Sequence, residues 1–366
     1  MSGSPGLNFN TMSDLVANNT AAIAQAAGCL EDRDSQSTEI VDCLRKAPAE
    51  LLANLSVTTS RAARPPFGEG FFYPTYDNDM ITDRPFQLMQ KGMFSKGIPI
   101  IASWVANEGA WYAAPTTSTD DEVLASFGLW LTGLTELTKR KLLELYPVDD
   151  FAAMVRPDYD GPMPVSPQYY RAAQINRDFW FTCPALDFTW QYIRNGGVGA
   201  SSKVRLYEHN ATRYAPAFAM MGVPMWRVAH LSDIPYVLNA QRLGGGADNS
   251  AAQLGLSKTM SRTLARFVAR GTPVDESEEA DDGTAGASWP PAYASAAADA
   301  PRGESPDQLT LKLFGGPHHN SPVTVRKTGR GSNAAATDGQ KAVEWEKLFH
   351  RCEFINSEQV RAETGV

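Results

Sequence analysis

Nowhere in these 366 residues does an apolar run approach the ~18 residues that a membrane-crossing helix needs. The opening MSGSPGLNFNTMSD has neither the basic start nor the apolar stretch of a secretory leader. Positive charge is in deficit, with 33 Lys and Arg against 41 Asp and Glu and a net charge of −8. That balance argues against nucleic acid or an anionic membrane as the main partner. Cysteine is scarce: none of the four forms a C-x-x-C pair or stands with histidine at finger spacing, which argues against structural zinc. No internal repeat is present. With 43% hydrophobic and 20% charged residues, the composition is that of a globular chain of one large domain or two smaller ones. Read alone, these absences describe a cytosolic protein.

What is present points elsewhere. Cys29, Cys43, Cys183 and Cys352 are an even number of cysteines, which permits three pairings. Asn18, Asn54 and Asn210 each open an N-x-S/T sequon, usable only in the secretory pathway. Together these features lead us to expect a secreted protein whose leader lies upstream of Met1.

The stretch GIPIIASWVANEGAWY reads as a buried strand, Ile98 to Val105, running straight into Glu108 and two aromatics, Trp111 and Tyr112. A carboxylate at the mouth of a buried strand costs several kcal/mol, roughly, unless it is paired. Leu15 to Leu55 reads as helical, with Leu44, Leu51, Leu52 and Leu55 near helical spacing. Thr119 and Glu122 form a capping box ahead of two helices, split near Thr132–Gly133 and stopped by Pro147. SPQYYRAAQINRDFWFTCPALDFTWQYIRNGG predicts a long helix with Pro167 near its start and Pro184 bending it. A second strand is predicted over Lys203–Asn210, alternating Val204, Leu206 and Glu208. An amphipathic helix through Leu256, Met260, Leu264, Phe267 and Val268 should stop at Gly271. Residues 273–307 turn acidic and Ala/Pro-rich, a surface excursion expected to be partly disordered, with only SWPPAY anchored. LTLKLFGG is a third strand and AVEWEKLFHRCEFI the last helix. Strands separated by long helices imply an α/β architecture with a mostly parallel sheet.

In parallel α/β sheets, working residues sit at the carboxyl ends of strands. Glu108 directly follows the first strand, and His230 lies on a loop some twenty residues after the second. An acidic residue followed far downstream by a histidine is the order of the last two members of an α/β-hydrolase triad. A lone post-strand glutamate would ordinarily be a solvated loop carboxylate, and a lone histidine a structural one; each gains its role from the other. His318 and His319 beside Pro317 lack a Cys or carboxylate partner nearby and read as a solvated turn. His209 and His350 read as structural, and Asp233 as a loop-shaping or capping acid.

Several motifs together resemble the type B carboxylesterase family, the cholinesterase-like esterases and lipases, from Met1 nearly to the C-terminus. AGCLEDRDSQSTEIVDCLRKAPAELL is similar to that family's small disulfide loop and the helix after it. YPTYDNDMITDRPFQLMQKGMFSKGIPIIASWVANEGAWY is similar to the segment leading to the acidic triad member, and VAHLSDIPYVLN to the histidine loop. FWFTCPALDF and HRCEF resemble a second pair of cysteine-bearing helices, while FVARGTPV and SWPPAY resemble the tail. The resemblance implies an α/β-hydrolase fold, incomplete, comprising the C-terminal part of the sheet with its helices. It also implies one carboxylesterase domain portion over 1–366 and the pairings Cys29–Cys43 and Cys183–Cys352. Glu108 and His230 would be the triad's acid and base. Trp111 and Tyr112 stand where the family places pocket aromatics, although core packing explains them equally well, and Ser2 corresponds to a serine near the triad. No metal or organic cofactor is implied. The substrate would be a small-molecule or lipid ester, and the fold has no call on nucleic acid.

The family's nucleophile lies in a G-x-S-x-G turn. No serine of this chain has glycine at both −2 and +2, and no Gly-rich oxyanion loop is present. We therefore expect a chain that begins just after the serine, retains two triad members and is inactive as it stands. The alternative is a non-catalytic cholinesterase-like binding or adhesion module.

Overall fold

The computed structural model describes residues 14–30, 34, 37–63, 79, 81–128, 131, 133–156, 165–240, 250–273, 289–294, 305–315, 320–327 and 338–364. Ser2, His318, His319 and most of 273–307 lie outside these residues. The described chain divides into two compact units, one within Leu7–Leu88 and one within Met89–Val366.

In the first unit, Leu15–Leu55 is not one helical segment but parts of three: α1 (Asp14–Ala26), α2 (Thr38–Lys46) and α3 (Ala49–Ala63). Its small core is Ala24, Cys29 and Ile40, with Leu30 and Leu44 against them. Cys29 and Cys43 are bonded, with Cα atoms 5.7 Å apart. So little apolar surface needs the cross-link, worth about 3 kcal/mol in the chain-entropy account. Leu51 is exposed, and α3 buries no residue. A short helix, α4 (Pro85–Gln90), carries the chain onward.

The second unit is built on a four-stranded sheet of order β1 (Ile100–Val105), β2 (Val204–His209), β3 (Gln308–Phe314) and β4 (Pro322–Arg326). β1–β2 and β2–β3 pair in parallel; β3–β4 is antiparallel. β1 starts two residues later than predicted, because Ile98 is exposed and spends its carbonyl on the Tyr192 hydroxyl, 2.6 Å away. The alternation expected in β2 is absent: Tyr207 and His209 are as buried as Leu206 and Glu208. Both faces of a central parallel strand are covered, so no period of two survives.

One face of the sheet presents Ile101, Tyr207 and Phe314 to α11 (Ala251–Arg270) through Leu256 and Met260. Ser250 and Gln253 form a capping box at the start of α11. Gly271, at φ 74°, ends it by donating to Phe267 O at 2.7 Å. Val268, expected on the apolar stripe, is exposed. From the excursion at 273–307, Trp289 donates its indole N–H to Leu206 O at 3.1 Å. Ala292 bridges Val204 O and the Thr310 N–H. The anchored SWPPAY segment thus sews the starts of β2 and β3 together.

On the other face lies the end of the long helix predicted from SPQYYR, which follows α5 (Asp120–Gly128) and α6 (Glu136–Leu145) in the chain. The first part of that helix is α7 (Pro167–Arg177) and its last α8 (Cys183–Asn195). Between them, Asp178–Thr182 is a π-helix in which Cys183 N–H reaches back five residues to Asp178 O. The distortion therefore precedes Pro184, which sits harmlessly in the first turn of α8. The chain closes with α9 (Ala215–Met220), α10 (Ile234–Val237), α12 (Asp338–Trp345), α13 (Leu348–Ile355) and α14 (Glu358–Thr364). The predicted last helix is thus two, broken at Lys347, with a third beyond. Cys183 and Cys352 tie α8 to α13 across 169 residues, with Cα atoms 4.9 Å apart, worth about 5 kcal/mol by loop closure.

At the end of α7, Arg177 is 1% exposed and bonds Glu208 of β2 at 3.0 Å and Glu346 at 2.9 Å. Glu208 also accepts the Trp104 indole N–H from β1 at 3.0 Å. One guanidinium therefore joins sheet, helix and C-terminal segment. Burial pushes the Glu346 carboxyl well up and Arg177 opposes it. Such a cluster is satisfied only as a whole. Arg177→Ala, which strands two buried carboxylates, should cost about 3–5 kcal/mol in urea unfolding.

His209 is fully buried, 2.8 Å from Ala211 O and with its ring 4.7 Å from Tyr236. Desolvation pulls its pKa from 6.5 down to about 4. The unfolded ring therefore protonates first on acidification. The stability contributed by the neutral ring is full above about pH 6.5 and is lost as pH falls toward 4, on the order of 3 kcal/mol. Unfolding free energies measured across that window should fall with acid, and His209→Gln should flatten the slope.

Candidate active site

Beyond Val105 the β1 ladder changes partner. Ala106 N–H donates to His209 O at 2.9 Å, the last bond to β2. β2 then turns aside, Asn210 N–H bonding Phe314 O of β3. One residue on, Asn107 N–H donates to Val228 O at 3.0 Å, Val228 N–H returns a bond to the Asn107 side chain, and Asn107 bridges Ala229. The loop carrying His230 has entered the position β2 left. Glu108 stands one residue past Asn107, and His230 one residue past Ala229.

Glu108 opens a 3₁₀ turn, Glu108–Tyr112, and has no exposed surface. Its Oε1 accepts Val105 N–H at 2.9 Å, and its Oε2 lies 2.5 Å from His230 Nδ1. The buried carboxylate is paired at both oxygens, as its burial demands. With an ionised carboxylate at that distance, Nδ1 carries the proton and donates it.

Gly109 allows the turn to sit on α7: a Cβ there would lie 1.9 Å from Ala173 O and 2.5 Å from Arg177 N. Tyr169 of α7 donates its hydroxyl to Ala110 O at 3.2 Å. The Trp111 ring meets the His230 ring edge-on at 5.6 Å and Trp226 at 5.5 Å. Phe181, from the π-helix, lies 5.0 Å from His230 on centroids, and the Tyr112 ring lies 6.1 Å from that of Phe181. Phe181 and Trp226 escaped sequence reasoning: a π-helix changes which residue faces inward, and Trp226 declares itself only by preceding His230 by one helical turn. Asp233 does not cap α10 with its side chain. It is buried and accepts the Tyr207 hydroxyl at 3.2 Å, its carboxyl pushed up by burial and then by the Glu108 charge.

Two residues of the histidine loop have left-handed backbones without being glycine: Arg227 at φ 51° and Leu231 at φ 69°. At ψ −116°, Arg227 is in a region favouring glycine, a strain of about 1–3 kcal/mol. The sequons fall on exposed Asn18 of α1, exposed Asn54 of α3 and half-buried Asn210 just past β2. Among the described residues no helix is long and apolar enough to cross a membrane.

The sequence pattern of the Carboxylesterase family matches residues 1–299. The chain belongs to the carboxylesterase family. It is 28% identical over 347 residues to the "Inactive carboxylesterase-like protein VdtD" of Byssochlamys spectabilis, covering 93% of this chain and 54% of that protein. It is 27% identical over 270 residues to the cholinesterase of Mus musculus, 70% of this chain and 40% of that one. In three dimensions it is similar to Aspergillus niger EstA, with a TM-score of 0.59 and 16% identity over 96% of this chain and 58% of EstA. The fold is that of the α/β-hydrolases, and the chain spans about half or less of the length of these curated relatives.

Gly109 and Gly255 give opposite expectations. Gly109→Ala forces the turn bearing Glu108 off α7 and should cost about 1–3 kcal/mol or more. Gly255→Ala, exposed within α11 where a Cβ meets nothing within 4 Å, should gain about 0.5–1 kcal/mol. Urea unfolding of the two variants side by side checks both signs.

Proposed function

We propose that Glu108 and His230 are the acid and base of carboxylic-ester hydrolysis through an acyl-serine intermediate. The observation that carries this reading is the 2.5 Å contact between His230 Nδ1 and a fully buried Glu108 at the carboxyl edge of the sheet. Glu108 holds the imidazole as its Nδ1–H tautomer, leaving Nε2 to take a hydroxyl proton, and stabilises the imidazolium that results. His230 then returns the proton to the leaving alcohol. Trp111 and Phe181 against His230, with Trp226 against Trp111, suit an ester with an apolar or aromatic body. A G-x-S-x-G turn is absent from these 366 residues, so the serine and its oxyanion donors are proposed to be brought to the pair by polypeptide outside them. Two disulfides and three sequons support an extracellular, glycosylated protein.

A second reading, a non-catalytic carboxylesterase-like binding module, is favoured by the missing turn and by the similarity to VdtD, a protein named as inactive. A buried acid–histidine pair is the feature such a module has no use for.

The 366-residue chain by itself should hydrolyse short p-nitrophenyl esters no faster than its Glu108→Ala variant, since a base without a nucleophile offers water little help. The whole protein should label with a fluorophosphonate and turn over esters, with Glu108→Gln losing about 10²–10⁴-fold in kcat. A whole protein that neither labels nor turns over would establish the binding reading. His230-dependent turnover by the 366 residues alone would mean that a serine outside any such turn is the nucleophile.

A further inference from the structure

We propose that Arg227 is a positioning residue that clamps the histidine loop to α7 and thereby holds His230 on Glu108. This rests on the reading of those two as an acid–base pair.

Arg227 lies three residues before His230, at the end of the short 3₁₀ turn Pro224–Trp226. Its guanidinium leaves the loop and crosses to other elements. One terminal nitrogen donates to Met154 O at 2.5 Å and to the Tyr170 hydroxyl at 2.8 Å, and the guanidinium carbon stands 4.5 Å from the centre of the Tyr170 ring. Tyr170 is 2% exposed and is neighbour in sequence to Tyr169, whose hydroxyl grips Ala110 O just past Glu108. Adjacent tyrosines of one helix turn thus fasten the acid's turn and the base's loop to a common support.

The backbone of Arg227 makes the side chain's contribution directional. At φ 51° and ψ −116° an L-residue is strained, and glycine alone would be at ease. Local preference therefore pulls the chain out of the path that lays Val228 and Ala229 along Asn107. Leu231, left-handed at φ 69° on the other side of His230, adds to that pull. The guanidinium, bound at two oxygens and a ring face, opposes it. A planar guanidinium can stack on the ring while it bonds the two oxygens, which a lysine ammonium does less well.

The clamp makes a prediction that a merely stabilising contact does not. Arg227→Gly removes the clamp and the strain together, so its melting temperature should stay near that of the parent while His230 comes loose. Tyr170→Phe keeps the ring and the backbone and removes only the hydroxyl acceptor. In ¹⁵N-resolved NMR of the 366-residue chain, the parent His230 ring should be the Nδ1–H tautomer. Both variants should show a mixture of tautomers and at least ~10-fold faster exchange of the ring proton with water, and Arg227→Lys should fall between. In the whole enzyme, kcat should drop about 10- to 100-fold with KM within about twofold. Two folded variants whose ring keeps the parent's tautomer and exchange rate would overturn the clamp while leaving the pair intact. A parent ring already mixed would overturn the pair and the clamp with it. An inactive whole protein in which the NMR effects still appear would remove the hydrolytic reading alone.

Discussion

The site depends on a ladder that changes partner. β1 pairs with β2 as far as Ala106 and with the histidine loop from Asn107 on. The handover is possible because β2 leaves toward β3 after His209 and because the chain returns, some twenty residues later, into the same slot. Backbone hydrogen bonds have fixed spacing, so they place Glu108 and His230 side by side more tightly than a side-chain contact between two free loops could. The buried carboxylate adds a penalty for failure: without the imidazole, Glu108 would keep, among the described residues, the Val105 N–H at Oε1 and no partner at Oε2.

A second constraint comes from the opposite face. α7 abuts Gly109 with its backbone, holds Ala110 O through Tyr169 and receives Arg227 on Tyr170. At its far end Arg177 is anchored to Glu208, which also binds Trp104. The helix is therefore referenced to the same two strands whose ends carry the site. Immediately beyond Arg177 it loosens into the π-helix, and that slip brings Phe181 to His230. Wide turns of this kind are costly and recur at functional positions. Here the slip lies between an ion cluster and a disulfide-bearing turn at Cys183, where both flanks are pinned.

Much of this was legible in the residues. The apolar run before Glu108, the Thr119–Glu122 box and the stop at Gly271 are local signals, and local physics honours them. The α/β class followed from the alternation of strands and helices, and the family from several motifs in order. β4 was not legible, since PVTVR is short, opens on proline and is stable only as the partner of β3. β2 hid its register because burial on both faces erases alternation. The break at Lys347 and the π-helix were hidden too, because each is a backbone adjustment made to serve distant contacts rather than a preference of the residues that make it. Trp226 and Phe181 became site residues by the same route, through geometry accumulated from several elements.

The distribution of strain shows how far the histidine loop belongs to the fold rather than to its own sequence. Five described residues other than glycine have positive φ: Arg227, Leu231, Asn239, Asn320 and Lys347. The two asparagines need little explanation, since a short amide side chain eases the left-handed conformation locally. Arginine, leucine and lysine have no such local remedy, and the first two of these stand either side of His230. A free peptide of this sequence would not choose that path. It is held by the Asn107 ladder behind it, by Tyr236 and Ser257 against α11 beyond it, and by a guanidinium bound across the gap to Met154 and Tyr170. Strain retained where tertiary ties converge on one imidazole is what a loop shaped to aim that ring would show, and a loop that only joined two elements would have relaxed it.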